Sequence, residues 1–310
     1  MDSTDVSLVM CVHNRAAVLP LALSHLELQS HPAARFEILI ADLASADDTR
    51  AVMERCAAGS PVPIRRIHMD TPNAAKARNE AVRQAGGTWI LFLDSDLLAG
   101  PGLVESHIRA QELRGGQVAA VGSIEVHPQL TANTFTKHYD VTAGANFLKG
   151  QPLRFIDWRA WNLSLPRAAI LEAGGFDESF DQPGLEDLEL AWRLESSGIK
   201  GYFADEASAY VWCPTTLDAE RQRLYAEGYS LVKLLDKTHE EVVSNRLLGP
   251  LTAGAGFPGR LLVPLYSRLC GTLAMDVRMC RHMVRRILVH SFLDGYRDAS
   301  AGPPQRMPTT

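Results

Sequence analysis

The sequence is poor in cysteine and has no long hydrophobic run, and each shortage excludes a class of protein. The 310 residues include five cysteines, an odd number, widely spaced and without a Cys-x-x-Cys pair, so we predict neither a disulfide framework nor a thiolate zinc site. No stretch reaches the ~18 uncharged apolar residues that a membrane-spanning helix needs, and the start of the chain lacks the basic and apolar segments of a signal peptide. We therefore expect a cytoplasmic protein, either soluble or peripheral at the inner face of the membrane.

The sequence also lacks a general excess of positive charge. It carries 31 Lys and Arg against 36 Asp and Glu, a formal net charge of −5, which argues against nucleic acid as a partner. The charge is divided unevenly, because residues 1–215 carry −9 and residues 216–310 carry +4. Since 46% of the residues are hydrophobic, the chain can bury the core of a large α/β domain and still add an appendage of another kind.

Short apolar runs alternate with helical patterns through the first half of the chain. Runs of strand length occupy residues 6–12, 36–41, 63–69, 89–93 and 118–126, and helical patterns fall at 18–26, 48–57 and 74–85. Strand, helix and strand in this order predict right-handed parallel crossovers and an α/β fold with a mostly parallel, doubly wound sheet. Residues 127–161 are irregular, which is typical of a binding loop or a lid.

Polar residues follow the apolar runs directly. The first run ends near Cys11, His13 and Asn14, the second ends in Asp42, and the buried run 89–93 ends in Asp94-Ser95-Asp96. Ligands of open α/β sheets bind beyond the carboxyl ends of the strands, so we expect these side chains to meet at one edge. Carboxylate oxygens suit Mg²⁺ or Mn²⁺ that takes its other ligands from phosphate and water, although a turn or a helix cap would also explain the aspartate pair.

A second acidic pair begins a predicted helix. Glu186 and Asp187 fall in its first turn, about ten residues after Gly174-Gly-Phe-Asp-Glu178. Acids in a first turn commonly do no more than complement the helix dipole. The functional interpretation is that Asp187 is a general base, which the dipole helps to keep ionised.

These motifs, in this order, resemble glycosyltransferase family 2 over about residues 6–213. The blocks that carry the resemblance are 6–15, 37–49, Ala77-Arg78-Asn79-Glu80-Ala81, 89–96, Asn162-Leu-Ser164, 174–178 and Glu186-Asp187. The resemblance implies a GT-A type nucleotide-binding sandwich. It also implies inverting transfer of a hexosyl or N-acetylhexosaminyl group from a nucleotide diphosphate sugar to an acceptor that the sequence does not identify.

The resemblance also implies roles for individual residues. Those expected to bind the donor are Cys11, His13, Asn14, Asp42, Arg78, Asp94 and Ser95. Asp96, together with Asp94, is expected to hold Mn²⁺ or Mg²⁺, and Asp187 to act as base with Glu186 beside it. Trp158, Trp161 and Asn162 are candidates for the acceptor, although core packing under the long loop explains the two tryptophans equally well.

Three positions depart from the family pattern. Leu43 replaces a frequent second acid, so a uridine donor is not implied. Cys213 stands where many members have a metal-binding His, and a thiol suits Mg²⁺ poorly. Cys11 stands where Pro or Thr is usual. Two other classes therefore stay open: a catalytically weak nucleotide-sugar-binding partner subunit, and a sugar nucleotidyltransferase.

The domain organisation follows from the change of pattern near residue 215. We predict a GT-A catalytic domain over residues 1–215, with its donor half at about 1–100 and its acceptor and base half at about 101–215. A helical extension over 216–298 and a disordered tail over 299–310 follow. The extension combines an apolar stripe with an Arg-rich face, including Arg268, Arg278, Arg281, Arg285 and Arg286. Such a helix can dock on the catalytic domain, on a second subunit or on an anionic membrane.

Overall fold

The computed structural model describes residues 4–130, 135, 147–212, 215–238 and 277–301. These residues form two compact units. The first unit contains residues 4–130, 147–179 and 186–212, and the second contains 135, 180–185, 215–238 and 277–301. Several residues singled out above lie outside the described part of the chain, namely Cys213, Arg268, residues 302–310 and the side chains of Arg278 and Arg281.

The elements of the first unit alternate as the sequence predicts, with additional short strands in its second half. They are β1 Val6–Val12, α1 Leu19–Glu27, β2 Phe36–Leu43, α2 Thr49–Gly59, β3 Ile64–Met69, α3 Ala74–Gln84, β4 Trp89–Leu93, β5 Leu97–Ala99, α4 Leu103–Glu112, β6 Val118–Val126, β7 Pro152–Leu153, β8 Asn162–Pro166, α5 Arg167–Glu172, α6 Glu186–Ser196 and β9 Lys200–Val211. Two short 3₁₀ turns, Ala33–Arg35 and Phe155–Asp157, complete the set.

The strands form one mixed sheet in the order β3-β2-β1-β4-β8-β6-β9-β5, with β7 on β9. β1 to β4 pair with one another in parallel, as crossovers through α1, α2 and α3 require. β8 is antiparallel to both β4 and β6, a feature that the apolar runs did not predict. In the parallel half, Val12 pairs with Asp42, so the ends of β1 and β2 lie at the same edge.

The parallel strands β1, β2 and β4 are almost wholly buried, which explains their near-continuous apolar sequences; β3, at the edge of the sheet, is partly exposed. β1 has only Cys11 partly exposed, and β2 is buried from Phe36 to Asp42. The side chains Leu8, Met10 and Ile38 are fully buried in the main core cluster. A rigid apolar sheet of this kind holds the polar residues at its edge in fixed positions.

A buried polar network supports the antiparallel half of the sheet. His107 on α4 contacts Ser164 Oγ through Nδ1 and donates from Nε2 to Asn162 Oδ1, while Gln111 donates to Ser164 Oγ. Burial lowers the pKa of His107 to about 4, so the ring is neutral at pH 7. The Asn162 amide donates to the carbonyls of Ser123 and Ala207, where the β6–β9 register shifts. The network satisfies backbone groups that this irregularity leaves unpaired.

The second unit is built on two long helices, α7 Leu217–Thr238 and α8 Val277–Ser300. The described part of the apolar stripe, from Met283 to Leu288, is buried in a cluster with Phe135, Leu217 and Leu224. That part of the stripe is therefore covered by protein within the unit. No helix in the described residues is both long and apolar enough to cross a membrane.

The two helices approach closely because each has a glycine at the contact. A Cβ atom at Gly228 would lie 1.9 Å from the carbonyl oxygen of Phe292, and one at Gly295 would lie 2.0 Å from that of Tyr225. Neither neighbour is a flexible side-chain tip, so the helix backbones would have to separate.

We predict that Gly228→Ala lowers the free energy of unfolding by about 1–3 kcal/mol, because the added methyl group overpacks the helix contact. Gly59→Ala is the matched control, since nothing lies within 4 Å of a Cβ at Gly59 and alanine favours helix by up to ~1 kcal/mol. Urea unfolding followed by far-UV circular dichroism compares the two. Equal stability of both variants would contradict the close helix contact.

Candidate active site

The loops after β1 and β2 interlock to form one end of the site. Asn14 has a positive φ of 51°, its N–H donates to Ser45 Oγ, and its Oδ1 accepts the N–H of Ala46. His13 Nδ1 donates to the carbonyl of Leu43, and its Nε2 accepts from the Asn14 amide. The two predicted residues His13 and Asn14 are exposed at this rim. Leu43 contributes its carbonyl group.

Asp42 lies beneath this rim with no exposed surface. Its carboxylate accepts the N–H of Ser45 at 3.1 Å and Nε of Arg50 at 2.6 Å. Burial alone would raise the pKa of Asp42, but the hydrogen bonds from Ser45 and Arg50 hold it below its ordinary value. Asp42 is therefore an ionised anchor for the β2 loop and the start of α2.

The carboxyl end of β4 presents the Asp94-Ser95-Asp96 motif. The Asp94 N–H donates to the Trp161 carbonyl at 3.0 Å, which fixes the strand end. Burial, followed by the charge of Asp96 and those of Asp187 and Glu186, raises the pKa of Asp94 to about 7. Asp94 makes no ion pair with any residue that the structure describes.

Asp96 differs from Asp94 in its contacts. Its side chain is 36% exposed and lies 3.9 Å from an Arg15 nitrogen. The motif therefore offers two half-buried carboxylates on either side of the buried Ser95.

A buried ion pair joins α3 to α6. Arg78 Nη1 lies 2.5 Å from Glu186 Oε1, and both side chains are almost wholly buried. Burial alone would lower the pKa of Arg78, but the charges of Glu186, Asp94 and Asp187 raise it above its ordinary value. Burial raises the pKa of the neighbouring Cys11 thiol to about 11, so this thiol is neutral at pH 7.

Asp187, the predicted base, lies beside this pair at the start of α6. It is 8% exposed, its Oδ2 accepts the Ala160 N–H at 3.1 Å, and its Oδ1 lies 3.4 Å from Arg159 Nη1. The N–H of Leu188 also donates to Oδ1. Three donors on the two oxygens orient the carboxylate.

Sequence reasoning missed the residues that hold Arg78 in place. Asn79 accepts the Phe176 N–H at 2.7 Å and donates to the Phe176 carbonyl. The Phe176 ring lies 5.4 Å below the Arg78 guanidinium and packs edge-on against Phe92. Gly175 has φ 78°, and a Cβ there would lie 2.4 Å from Asn79 Oδ1. The 174–178 block thus holds Asn79, and through Phe176 also Arg78. Phe176 and Asn79 are 97 residues apart in the sequence, so no local pattern predicts their contact.

The structure treats the three acceptor candidates differently. Trp158 has no exposed surface. Its ring packs against Gly201, so closely that a Cβ atom there would lie 2.0 Å from it. Asn162 is 2% exposed and held in the buried network. Trp161 is half-buried, and the Arg159 guanidinium lies 5.0 Å from the centre of its ring. The core-packing interpretation therefore suits Trp158, and Trp161 is the tryptophan placed near Asp187.

The acidic groups are suited to a cation that brings its own further ligands. Within the described part of the chain, no three His, Cys, Asp or Glu side chains form a complete metal cage. Asp94 and Asp96 supply two carboxylates at one strand end. Burial first, and then the charge of Asp96, raises the pKa of Asp94, although the charge of Arg78 opposes the shift. Mg²⁺ and Mn²⁺ accept such a partial ligand set when phosphate oxygens and waters complete it.

The fold is shared with solved glycosyltransferases. TarS of S. aureus in complex with UDP superposes with a TM-score of 0.54 at 14% identity, over 99% of this chain and 94% of that chain. The mannosyltransferase PcManGT of Pyrobaculum calidifontis, solved with GDP-Man and Mn²⁺, superposes with a TM-score of 0.58 at 15% identity, over 94% and 87% of the two chains. These likenesses concern the fold, and they confirm the predicted GT-A type α/β architecture with C-terminal helices.

Sequence comparison identifies the family. The family model described as "Glycosyl transferase family 2" matches residues 7–170, more than half of the chain. The chain therefore belongs to glycosyl transferase family 2. Validoxylamine A glucosyltransferase of Streptomyces hygroscopicus subsp. jinggangensis is 29% identical over 270 residues, which cover 78% of this chain and 58% of that protein. The chain thus spans a little over half the length of this relative.

We predict that Asp94→Asn stabilises the metal-free protein at alkaline pH. The pKa of Asp94 is raised above that of an unfolded chain, so ionisation costs the folded state free energy as pH rises from about 4 through about 7. At about pH 8 the variant should gain on the order of 1 kcal/mol or more in free energy of unfolding. The gain should shrink as the pH falls toward about 4, where both states bind the proton.

Urea unfolding in a metal chelator at several pH values measures this difference. Asp70→Asn is the control, because Asp70 is an exposed loop residue whose replacement should leave the pH dependence unchanged. A loss of stability in Asp94→Asn at alkaline pH would show that the carboxylate is compensated in the folded protein.

Proposed function

We propose that the chain is an inverting glycosyltransferase that moves a sugar from a nucleotide diphosphate sugar to a hydroxyl or another nucleophile of an acceptor. The observation that carries the proposal is the meeting of the β4 strand end with the start of α6: the Trp161 carbonyl accepts the Asp94 N–H at 3.0 Å, and the preceding residue, Ala160, donates its N–H to Asp187 at 3.1 Å. The name of the Streptomyces relative, a glucosyltransferase, supports a hexosyl donor.

The donor end of the proposed site is the rim formed by the β1 and β2 loops. His13 and Asn14 are exposed there and fixed by hydrogen bonds, so they can contact a nucleoside without first losing conformational freedom. Asp42 fixes the β2 loop through Ser45 and Arg50 and, with no exposed surface, would support the donor-binding rim from beneath. Because Leu43 provides only its backbone carbonyl at this rim, we propose no particular base.

Asp96 and Asp94 would hold the divalent cation, Mn²⁺ or Mg²⁺. When bound, such an ion neutralises charge that develops on a leaving diphosphate. The complex of PcManGT contains Mn²⁺, and the two carboxylates found here have the chemistry for either ion. Arg78 adds a fixed positive charge near Asp94, and Ser95 lies between the two aspartates.

Asp187 is the proposed general base. Its carboxylate is oriented by the Ala160 N–H and by Arg159, and it would remove the acceptor proton as the acceptor oxygen attacks the anomeric carbon. One displacement inverts the configuration at that carbon. Glu186 is committed to Arg78, so we assign it the positioning of that arginine.

We predict that Asp187→Asn lowers kcat for sugar transfer by about a hundredfold or more, the usual loss for a missing general base. Donor affinity should change little, because the amide keeps the shape of the side chain. The donor for the assay is first chosen by a thermal-shift panel of UDP, dTDP, GDP and CDP sugars with Mn²⁺ or Mg²⁺, since a bound ligand raises Tm.

Glu195→Gln is the matched control, because Glu195 is an ion-paired carboxylate on the same helix that contacts Arg154. Its turnover should stay within about twofold of the wild type. Substantial transfer by Asp187→Asn would refute the assignment of the base. Release of pyrophosphate from a sugar phosphate and a nucleoside triphosphate would instead identify a nucleotidyltransferase.

A further inference from the structure

A cavity of about 180 Å³ lies in the first unit, next to the proposed base. One wall comes from β6, with Val121 and Ile124, and another from the segment before β8, with Ile156, Asp157 and Trp161. The lining therefore combines aliphatic side chains and the aromatic rings of Trp161 and Phe147 with a carboxylate, a guanidinium and an amide. Its composition is that of a small-molecule site, in which apolar walls carry a few polar groups.

Arg159 connects this cavity to the reaction centre. It lines the cavity, its Nη1 lies 3.4 Å from Asp187 Oδ1, and its guanidinium stacks over Trp161. The backbone carbonyl of Trp161 accepts the N–H of Asp94 at 3.0 Å. A molecule in the cavity is therefore bounded by groups that contact both the base and the β4 strand end.

The volume limits the size of the occupant. Pockets for drug-sized ligands measure ~300–1,000 Å³, so about 180 Å³ suits a single six-membered ring rather than an oligosaccharide. The indole face of Trp161 and the side chain of Ile156 suit the apolar C–H face of such a ring. Asp157 and Arg159 supply hydrogen-bonding groups for its hydroxyls.

The charge of the lining favours a neutral occupant. Arg159 is the one cationic side chain among the described residues that line the cavity, and it is paired with Asp187; the Asp157 carboxylate accepts the N–H of Arg154. A phosphorylated acceptor would need positive charge that is not already compensated, and would meet the Asp157 carboxylate.

We propose that this cavity is the acceptor subsite and that it binds one neutral polyhydroxylated six-membered ring, a sugar or a cyclitol. Trp161 stacks on the ring, while Asp157 and Arg159 bind its hydroxyls. This inference rests on the proposed glycosyl transfer. It adds the class of acceptor and assigns roles in acceptor recognition to Asp157 and Arg159.

The test measures ring binding and transfer separately. Saturation-transfer NMR with methyl glucoside and myo-inositol detects ring binding without any donor. Transfer to the same compounds, to glucose 6-phosphate and to maltotetraose is followed by mass spectrometry with the donor from the thermal-shift panel. We expect the neutral single rings to bind and to be the preferred acceptors.

Three variants locate the binding. Trp161→Ala should raise the acceptor KM about tenfold, the worth of an aromatic contact, and Asp157→Asn should raise it similarly while keeping the side-chain shape. Both should leave donor affinity and donor hydrolysis within about twofold. Trp89→Ala is the matched control, since Trp89 is another half-buried tryptophan of the first unit whose indole N–H donates to Gly116, and its acceptor KM should not change.

The outcomes separate this inference from the proposed function. If no nucleotide sugar binds or is hydrolysed, the proposed function fails, and loss of the NMR signal in Asp157→Asn still supports a ring site. If transfer occurs but Asp157→Asn and Trp161→Ala keep the wild-type acceptor KM, the subsite is overturned. Should Trp161→Ala not fold, Asp157→Asn alone decides. Preference for glucose 6-phosphate or maltotetraose would also overturn it.

Discussion

The buried ion pair between Arg78 and Glu186 is the contact on which the geometry of the site depends. A guanidinium enclosed by protein is tolerated only with a partner and good geometry, and Glu186 at 2.5 Å provides that partner. Phe176 supports the same guanidinium from below. Since Glu186 begins α6, the ion pair ties that helix to α3 and so places Asp187, the next residue, in the cleft.

This pairing explains the electrostatics of the strand end. The charge of Arg78 is used mainly by Glu186, and Arg159 lies against Asp187. Burial first, and then the charges of Asp96, Asp187 and Glu186, raise the pKa of Asp94 to about 7, while the charge of Arg78 opposes the shift. A site that holds a carboxylate with a raised pKa gains free energy when a cation arrives. Ionised Asp94 lowers the stability of the folded protein, and the proposed binding of metal and diphosphate would restore that free energy.

Local patterns were sufficient for the parallel half of the fold and for the acidic edge. The apolar runs of β1, β2 and β4 predict buried strands, and parallel strands place their carboxyl ends together, so the proximity of Asp42 and Asp94 to one edge follows directly. β8 escaped prediction because it contains Asn162 and Ser164, polar residues that are buried only because His107 lies opposite them. Local sequence does not encode a partner 55 residues away.

The same limit applies to the site. The motifs identified Asp187 and Glu186, but gave them a common role, whereas the structure commits Glu186 to Arg78 and leaves Asp187 with Ala160 and Arg159. Asn79 lies in a block that carries the resemblance, but its role did not follow from it, and Arg159 carried no signal, because each contacts a residue far along the chain. The candidate catalytic and binding residues could therefore be predicted from their residue type and their place after a strand or at a helix start. The contacts that hold them in position could not.

Proton release on ligand binding tests the central claim most directly. If Asp94 is a carboxyl group with a pKa of about 7, then binding of Mn²⁺ with UDP or GDP at about pH 7 should release about half a proton from it. Calorimetry in buffers of different ionisation enthalpy measures the number of protons released. The same measurement on Asp94→Asn gives the release from the nucleotide alone, which is subtracted from the wild-type value. The account predicts a difference of about half a proton between wild type and variant at about pH 7 and almost none at about pH 9. An equal proton release by both proteins at about pH 7 would contradict it.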